Sequence, residues 1–325
     1  MTGLSDSFQR PIDYLRISVT DRCNLRCIYC MPAGGIKLLS HEDILSYEEI
    51  YRIATAAAEL GIKKVRITGG EPLVRIGLSG LLRMLAQIDT IDDIALTTNG
   101  TLLSQYADEL KAAGLRRVNI SLDTLKPDKF RLITRGGKLD DVLAGIDAAA
   151  AAGLNPIKIN VVVMAGINDD ELIDLARKTV DEGWHVRFIE RMPFNKEMAS
   201  STFVSVNEIR EHLAVLGELE PCTFKGNGPA RYYRLPQSKG TIGFITPISE
   251  HFCFQCNRLR LTADGKLRPC LLSEREIDLC QPLRQGISAE ELKKLIKRAV
   301  ESKPRQHKLA QGCVPQDRPF SQVGG

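Results

Sequence analysis

Two hydrophobic patterns alternate along the chain between residues 14 and 192. Short β-branched runs predict strands, and the Ala- and Leu-rich stretches with charged residues that follow them predict helices. The predicted strands cover residues 14–20, 64–68, 94–98, 117–122, 157–164 and 185–190. The predicted helices include residues 47–60, 103–113, 140–152 and 170–182. A glycine follows each of these helices, at the position typical of a helix C-terminus: Gly61, Gly114, Gly153 and Gly183.

Six consecutive strand–helix units predict an α/β fold with a parallel sheet and right-handed crossovers. An open doubly wound sheet and a barrel share this pattern. No glycine-rich phosphate loop follows the first strand, which weighs against the nucleotide-binding doubly wound fold. Polar residues gather just after the predicted strands, and in a barrel this edge is the catalytic face. They are Cys23, Cys27 and Cys30, then Gly69-Gly70-Glu71, Thr97-Thr98-Asn99, Ser121 with Asp123, and Glu190-Arg191-Met192.

The pattern changes after Met192. Residues 193–206 read as a loop, and residues 207–219 predict a helix. Short runs broken by Gly and Pro follow over residues 220–270, residues 281–302 are partly helical, and the tail over 316–325 is polar. We therefore predict two domains, a barrel over residues 1–192 and a C-terminal extension over residues 193–325.

Composition narrows the class of protein. The chain has 325 residues, and 44 Lys and Arg against 40 Asp and Glu give a net charge of +4. This balance argues against a basic nucleic-acid-binding coat but leaves room for a local anion site. No apolar run reaches the roughly 18 residues of a membrane span, and the N-terminus lacks a secretory pattern. We expect a cytoplasmic protein, in which nine cysteines favour metal or redox chemistry over disulfides.

The first cysteine group, Cys23, Cys27 and Cys30, has the spacing C-x3-C-x2-C and follows the first strand. Thiolates are soft ligands that suit iron–sulfur clusters, zinc or copper(I). Three of them are one fewer than a closed zinc site or a four-iron cluster requires. Such a set leaves one metal position open to a substrate or cofactor.

The second group consists of Cys253, Cys256 and Cys270. Its C-x2-C pair resembles half of a zinc ribbon, with His251 or Cys280 as the fourth ligand. A second open cluster is the alternative, and the spacing leaves both interpretations open. The other thiols have no partner at ligand spacing, so we expect them to pack in the fold: Cys222, Cys280 and Cys313.

The first group, with Tyr29 before its last cysteine, resembles the signature of the radical S-adenosylmethionine (SAM) enzymes. Gly69-Gly70-Glu71-Pro72 resembles that superfamily's second motif. Three further segments narrow the resemblance to the GTP 3′,8-cyclase family, lyases that catalyse the first step of molybdenum-cofactor biosynthesis. These segments are Thr-Asp-Arg-Cys-Asn at 20–24, Phe-Cys-Phe-Gln-Cys-Asn-Arg-Leu-Arg at 252–260, and the terminal Gly324-Gly325. The resemblance covers nearly the whole chain.

The resemblance implies an incomplete (β/α)6 TIM-type barrel closed by a C-terminal extension that carries a second cluster. Two [4Fe-4S] clusters would bind, one on each cysteine group, and SAM would bind to the first. One electron from that cluster would cleave SAM to a 5′-deoxyadenosyl radical, which abstracts hydrogen from C3′ of GTP. The C3′ radical would then add to C8 of guanine, and the second cluster would hold the guanine ring.

The resemblance also assigns site residues. Those for SAM are Tyr29, Gly70, Ser121 and Met192. Those for GTP are Arg16, Arg66, Thr97, Lys158, Arg258, Leu259 and Arg260. A polyanionic substrate calls for such fixed positive charge. The tail residues Gly324 and Gly325 are expected to insert near Arg16 and Arg66. Glu71 would either bind the amino group of SAM or cap the following helix, and both interpretations stay open.

The implied partners are GTP, an electron donor and the downstream cyclic pyranopterin monophosphate synthase. No membrane or nucleic-acid partner is expected, and a homodimer is compatible with the sequence. Two other classes compete with this assignment. One is a radical SAM peptide- or RNA-modifying enzyme with an auxiliary cluster, which usually carries a larger cysteine-rich module or an RNA-binding domain. The other is a non-enzymatic zinc-binding module.

Overall fold

A computed structural model describes residues 3–193, 203–224, 228–311, 313–315 and 317–324. Its strands are β1 (Tyr14–Ser18), β2 (Lys64–Thr68), β3 (Asp93–Thr98), β4 (Arg117–Ser121), β5 (Lys158–Val163), β6 (His185–Glu190), β7 (Glu220–Cys222), β8 (Arg231–Arg234), β9 (Thr241–Ile245), β10 (Arg258–Leu261), β11 (Lys266–Arg268) and β12 (Ile277–Asp278). Its α-helices are α1 (Tyr47–Glu59), α2 (Leu78–Ala86), α3 (Leu103–Ala112), α4 (Pro127–Thr134), α5 (Leu139–Ala151), α6 (Leu172–Asp181), α7 (Val206–Leu213), α8 (Cys280–Arg284) and α9 (Ala289–Glu301).

The six strands predicted from the pattern, β1 to β6, are all present within two residues of their expected ends. The four helices named with them are present as α1, α3, α5 and α6, and the glycines after them have φ between 70° and 110°, as helix-ending glycines do. The helix predicted over 207–219 is shorter. It ends at Leu213, and a 3-10 turn over Ala214–Leu216 follows it.

Helix ends follow local side-chain chemistry. Ser46 before α1 accepts a hydrogen bond from the Glu49 backbone N–H, and the Glu49 carboxylate accepts one from the Ser46 N–H. Ser288 and Glu291 form the same reciprocal cap at the start of α9. Each cap satisfies two N–H groups that the helix leaves without partners. On the apolar face of α1, Ile50 and Ile53 are buried in the core.

The chain divides into two compact units. The first contains Met1–Thr98, Asp108–Arg116 and Cys253–Gly325. In it β1 pairs in parallel with β2 on one side and β10 on the other, and β2 pairs in parallel with β3. Strands β11 and β12 continue from β10 in antiparallel order. The cysteine-bearing C-terminal segment is therefore part of the same sheet as the first strand of the chain.

The second unit contains Asn99–Ala107 and Arg117–Phe252. Strands β4, β5, β6 and β9 form its parallel sheet, and β8 and β7 extend it in antiparallel order. The buried carboxylate of Glu190, at the end of β6, accepts hydrogen bonds from the backbone N–H groups of Val206, Ile248 and Ser249. Glu190 thus holds later segments of this unit against β6.

No helix in the described ranges is both long enough and apolar enough to span a bilayer.

Candidate active site

The first cysteine group lies on the loop that follows β1, and its three thiols are partly exposed. The backbone N–H groups of Cys30 and Met31 donate to the Cys27 carbonyl oxygen at 2.9 and 3.2 Å, so the loop coils tightly between its second and third cysteines. The Cys23 sulfur accepts a hydrogen bond from the Leu25 N–H at 3.4 Å. Three partly accessible thiols on one short loop form a donor set that fits an iron–sulfur cluster.

Gly70 fixes this loop against the end of β2. Its N–H donates to the Thr20 carbonyl at 2.7 Å, and the Glu71 N–H donates to the Arg22 carbonyl at 2.8 Å. A Cβ at Gly70 would lie 2.3 Å from the Arg22 carbonyl oxygen. Residue 70 therefore must be glycine because the chain's own backbone crosses it, a reason that applies in addition to any approach of a cofactor.

Glu71 is buried and caps the 3-10 turn Pro72–Val74. Its Oε1 accepts hydrogen bonds from the Leu73 N–H at 3.0 Å and from Thr98 Oγ1 at 2.7 Å. Of the two interpretations left open by the sequence, the structure supports the cap.

The residues predicted for SAM lie at strand ends and in loops of both units. Tyr29 and Gly70 belong to the first unit, next to the first cysteine group. Ser121 is the last residue of β4, and Met192 follows the end of β6, both in the second unit. Their role toward SAM remains a prediction.

The second cysteine group is assembled within the first unit. Cys253 opens a 3-10 turn, and the Cys256 N–H donates to its carbonyl at 3.2 Å. Burial raises the pKa values of Cys253 and Cys270, and the nearby Cys256 adds to both effects. Burial alone would raise the pKa of Cys256, but the charges of Arg258 and Lys303 lower it to about 6. The three thiols therefore influence one another, and the surrounding positive charge favours the thiolate form of Cys256.

Within the described ranges, no three His, Cys, Asp or Glu side chains converge as they would to bind a single metal ion. A four-iron cluster places each thiolate on a different iron. The proposed fourth zinc ligand Cys280 lies in α8, where Gly265 packs against it, and burial raises its pKa. The charges that act on Cys280 are those of Arg284, Glu49, Asp278 and Lys266, not those of the second cysteine group.

Three arginines predicted for GTP align across neighbouring strands. Arg16 of β1 stands opposite Arg66 of β2 on one side and opposite Arg260 of β10 on the other. All three are at most 9% exposed. Burial, Arg260 and the other nearby arginines lower the pKa of Arg16, and burial together with Arg258 lowers the pKa of Arg260 to about 9.

This arginine row has excess positive charge. In the described part of the chain, no carboxylate forms an ion pair with Arg16, Arg66 or Arg260. The buried Nε atoms of Arg16 and Arg66 have no hydrogen-bond partner there, and neither does Oγ1 of Thr97, the GTP residue predicted on β3. Buried cations without anions are unfavourable, so the row is suited to a polyanionic ligand.

Arg258 and Leu259 complete the predicted set on β10. The Arg258 side chain hydrogen-bonds the Cys256 thiol, so it joins the arginine row to the second cysteine group. The Leu259 side chain is fully buried. Because successive residues of a strand point to opposite faces, Leu259 packs away from Arg258 and Arg260.

Tyr14 is a residue that the sequence analysis missed. It opens β1, and its ring centroid lies 5.5 Å from the guanidinium carbon of Arg66. Its buried hydroxyl has no hydrogen-bond partner among the described residues. The alternation that places Arg16 and Ser18 on one face places Tyr14 there too, and this was the available signal.

Lys158 lies in the second unit, at the start of β5, and is 1% exposed. Its Nζ is 4.5 Å from the ring centroid of Phe224 and 5.9 Å from that of Tyr232. On neighbouring β6, His185 packs on Phe224 at 4.3 Å between centroids. Burial, with the charges of Lys158 and other cations, lowers the pKa of His185 to about 4.

Arg187 of β6 is a second residue that the sequence analysis did not single out. It is 2% exposed, and its Nη2 donates to Asn119 Oδ1 at 2.7 Å. Its signal was again an arginine inside an apolar strand, as at Arg16.

The tail is docked on the first unit. Arg318 pairs with Asp264 and Glu276 at 2.8 Å, and Asp317 pairs with Arg268 at 2.6 Å. The Gly324 carbonyl accepts a hydrogen bond from Arg260 Nη1. Gly324 lies beside Ser18 and Thr68, on the strands that carry Arg16 and Arg66. Gly325, the other tail residue of the prediction, lies outside the described residues.

Both cysteine groups lie in stretches of the chain that match known protein families. Residues 17–179 match the model described as Radical SAM superfamily, and residues 184–309 match that described as Molybdenum Cofactor Synthesis C. Among solved structures, SuiB of Streptococcus suis bound to S-adenosylmethionine has a TM-score of 0.63 at 14% identity, covering 87% of this chain and 68% of that one. The structure of anSMEcpe with bound AdoMet has a TM-score of 0.58 at 15% identity, covering 87% and 77%.

These matches define a radical SAM protein, and the expected α/β fold with a C-terminal extension is confirmed. A protein of Heliobacterium modesticaldum named GTP 3′,8-cyclase is 53% identical over 325 residues, covering 98% of this chain and 99% of the relative. Another with that name, from Moorella thermoacetica, is 53% identical over 324 residues, covering 99% and 100%. The chain belongs to the GTP 3′,8-cyclase family of radical SAM enzymes.

Proposed function

We propose that the chain converts GTP to (8S)-3′,8-cyclo-7,8-dihydroguanosine 5′-triphosphate in the first step of molybdenum-cofactor biosynthesis. The observation that carries this proposal is the buried row of Arg16, Arg66 and Arg260, which is in register and lacks carboxylate partners in the described chain. A nucleoside triphosphate supplies the negative charge that this row needs. Arg258 connects the row to the second cysteine group.

The chain's own cysteines would bind two iron–sulfur clusters. Cys23, Cys27 and Cys30 would bind the first [4Fe-4S] cluster with SAM, and Cys253, Cys256 and Cys270 would bind the second cluster. When bound, the first cluster and SAM supply the one-electron chemistry that produces a carbon radical.

The other residues of the site would position GTP and SAM relative to each other. The arginines would bind the triphosphate, and Tyr29, Gly70, Ser121 and Met192 would contact SAM. Thr97, Lys158 and Leu259 would complete the GTP site, Leu259 through its backbone because its side chain is in the core. Exact placement matters because a hydrogen-atom transfer needs its two carbons in near contact.

We also propose the partners, cellular location and domain organisation of the protein. A one-electron reaction needs an electron donor, and we expect the product to be used by a downstream cyclic pyranopterin monophosphate synthase. We place the protein in the cytoplasm, with residues 1–192 as the barrel domain and 193–325 as the extension, and we regard a homodimer as compatible with it.

The test is an anaerobic incubation of the reconstituted protein with GTP, SAM and dithionite, followed by mass spectrometry. We expect 5′-deoxyadenosine and a cyclised guanosine triphosphate to form together. Formation of 5′-deoxyadenosine with unchanged GTP would reject GTP as the substrate. A peptide or RNA substrate would then become the leading alternative. A colourless protein that binds zinc instead of iron would reject the radical chemistry.

A further inference from the structure

A buried lysine bridges the two backbone segments that carry Cys256 and Cys270 of the second cysteine group. Lys303 follows α9 and is 3% exposed. Its Nζ donates to the Arg258 carbonyl at 2.8 Å and to the Pro269 carbonyl at 2.6 Å. The first carbonyl is two residues after Cys256, and the second immediately precedes Cys270. One ammonium group therefore fixes the distance between two thiols that are far apart in the sequence.

Arg10 fixes the third thiol in the same way. Its Nη1 donates to the Cys253 carbonyl at 2.6 Å, and its Nη2 donates to the Pro304 carbonyl at 2.7 Å. Pro304 is the residue after Lys303, so the two cations hold adjacent points of one segment. The charge of Arg10 is balanced within the N-terminal segment by Asp6, which contacts its Nε at 2.6 Å.

Lys303 differs from Arg10 because its two hydrogen bonds both go to backbone carbonyls. In the ranges that the structure describes, no carboxylate lies within ion-pair distance of it. Burial lowers the pKa of Lys303, and negative charge on Cys256 and Cys270 acts in the opposite direction. A buried ammonium is costly unless an anion balances it. A cluster bound by three thiolates is an anion of this kind.

We propose that Lys303 is a positioning residue for the second cluster. It holds the backbone segments of Cys256 and Cys270 at the spacing that a cluster requires, and it balances the cluster's negative charge. The inference rests on the proposed function, which assigns a cluster to these cysteines. Two consequences follow. Loss of the charge lowers the reduction potential of the cluster, because a nearby cation favours the reduced, more negative state. Loss of the two hydrogen bonds weakens retention of iron, by about 10- to 100-fold if Lys303 acts as other outer-shell partners do.

The test isolates the second cluster. In the full chain with Cys23, Cys27 and Cys30 all replaced by Ser, only the second group can hold a cluster. Lys303→Met removes the charge and keeps the length, and Lys303→Arg keeps the charge. Lys308→Met is the matched control, since Lys308 is exposed on the same segment. We would measure the midpoint potential by EPR-monitored titration and the rate of iron loss to a chelator.

We expect Lys303→Met to have a more negative potential and faster iron loss, Lys303→Arg to lie between it and the parent, and Lys308→Met to match the parent. Complete loss of iron in Lys303→Met with retention in Lys303→Arg supports the proposal as well. A parent-like potential and iron retention in Lys303→Met would overturn it, and so would an equal change in Lys308→Met. If the parent itself binds no cluster, the proposed function fails instead, and this outcome is separate because it precedes any change at Lys303.

Discussion

Arg260 donates a hydrogen bond to the carbonyl oxygen of Gly324, which ties the buried arginine row to the end of the tail. Gly324 has φ of 71°, in the left-handed region, and a Cβ there would lie 2.6 Å from Thr68 Oγ1. Only glycine fits this position, both because of its backbone conformation and because of the space available. The tail therefore docks on the site through a residue that has no side chain.

Gly324→Ala should suppress GTP cyclisation while both clusters stay bound. The left-handed conformation costs an alanine about 1–2 kcal/mol, and the contact with Thr68 adds to this cost. The measurement is product formation, with iron content and melting temperature recorded on the same samples. Deletion of the last two residues should have the same effect, and a peptide ending in Gly-Gly should restore part of the activity at about millimolar concentration, because the tether is lost.

Gly286→Ala is the matched control for Gly324→Ala. Gly286 has φ of 83°, and nothing lies within 4 Å of a Cβ added there. Alanine at Gly286 therefore carries a similar backbone cost, but its methyl group meets no neighbouring atom. Full cyclisation by Gly324→Ala, or an equal loss in Gly286→Ala, would mean that the tail does not act in the reaction.

Substitutions in the two cysteine groups should affect two different steps, SAM cleavage and GTP cyclisation. Cys23→Ser, Cys27→Ser or Cys30→Ser should abolish SAM cleavage but leave iron on the second group, since a hydroxyl is a poor ligand for iron. Cys253→Ser, Cys256→Ser or Cys270→Ser should leave SAM cleavage and reduce cyclisation. Iron counting and 5′-deoxyadenosine measurement distinguish the cases. Cys313→Ser, at an exposed cysteine, should change neither quantity.

Much of the fold could be predicted because its signals are local. The limits of β2 and β6 match the periodicity to the residue, since each run is bounded by polar or turn residues. The start of α6 was predicted two residues early because a 3-10 turn over Asp169–Glu171 precedes it. A short turn of this kind and the first turn of an α-helix have nearly the same local sequence preferences.

The candidate site was less predictable because it depends on long-range pairing. The sequence places Arg16, Arg66 and Arg260 in separate strands, but no local signal shows that β10 pairs with β1 and aligns them. The aromatic neighbours of Lys158 could not be predicted either, since Phe224 comes from a distant segment of the sequence. The sequence singled out Gly70 as a place of close backbone approach to SAM, which stays a prediction, and its contact with the Arg22 carbonyl follows only from the fold.

Gly70→Ala should disrupt the first cysteine loop. A methyl group 2.3 Å from a backbone carbonyl cannot be relieved by moving a flexible side chain, so the backbone must shift. We expect a lower melting temperature and loss of iron from the first group, with the second group still occupied. Gly80→Ala is the control. Gly80 lies in α2 with nothing within 4 Å of an added Cβ, and alanine there should stabilise the protein by about 0.5–1 kcal/mol. Normal SAM cleavage by Gly70→Ala would contradict the assigned role of this contact.

Arg260→Ala and Arg66→Ala should each weaken GTP binding. Loss of a charge-assisted hydrogen bond costs about 1.5–3 kcal/mol, or about 10- to 150-fold in Kd. Calorimetry on the reconstituted protein would give the affinities for GTP and SAM separately. Affinity for SAM should change little. An equal loss of both affinities would indicate misfolding, and unchanged GTP binding would exclude the arginine row as the triphosphate site.

Arg116→Ala serves as the control for the arginine variants. Arg116 is exposed and lies just before β4, outside the row. It should leave the affinity for GTP unchanged at physiological salt, because exposed charges are screened within about a Debye length.

His185 should make stability depend on pH. Its pKa is about 4 in the folded protein, because burial and the charges of Lys158, Arg187 and Arg234 disfavour the imidazolium. In the unfolded chain the imidazole titrates near 6.5. Between these values the unfolded chain binds more protons, so stability rises with pH. The contribution of the neutral ring is fully present above about pH 6.5 and is lost as pH falls toward about 4.

His185→Asn removes this titration and leaves a side chain that can still hydrogen-bond Thr241, whose Oγ1 is 2.9 Å from the His185 Nδ1. The wild type should therefore lose more melting temperature than His185→Asn between about pH 7 and about pH 5. Other groups titrate in this range, and the comparison between variants cancels them. His212→Asn is the matched control, because His212 is exposed on α7. Parallel pH profiles for wild type and His185→Asn would show that His185 is protonated as easily in the folded protein as in the unfolded chain.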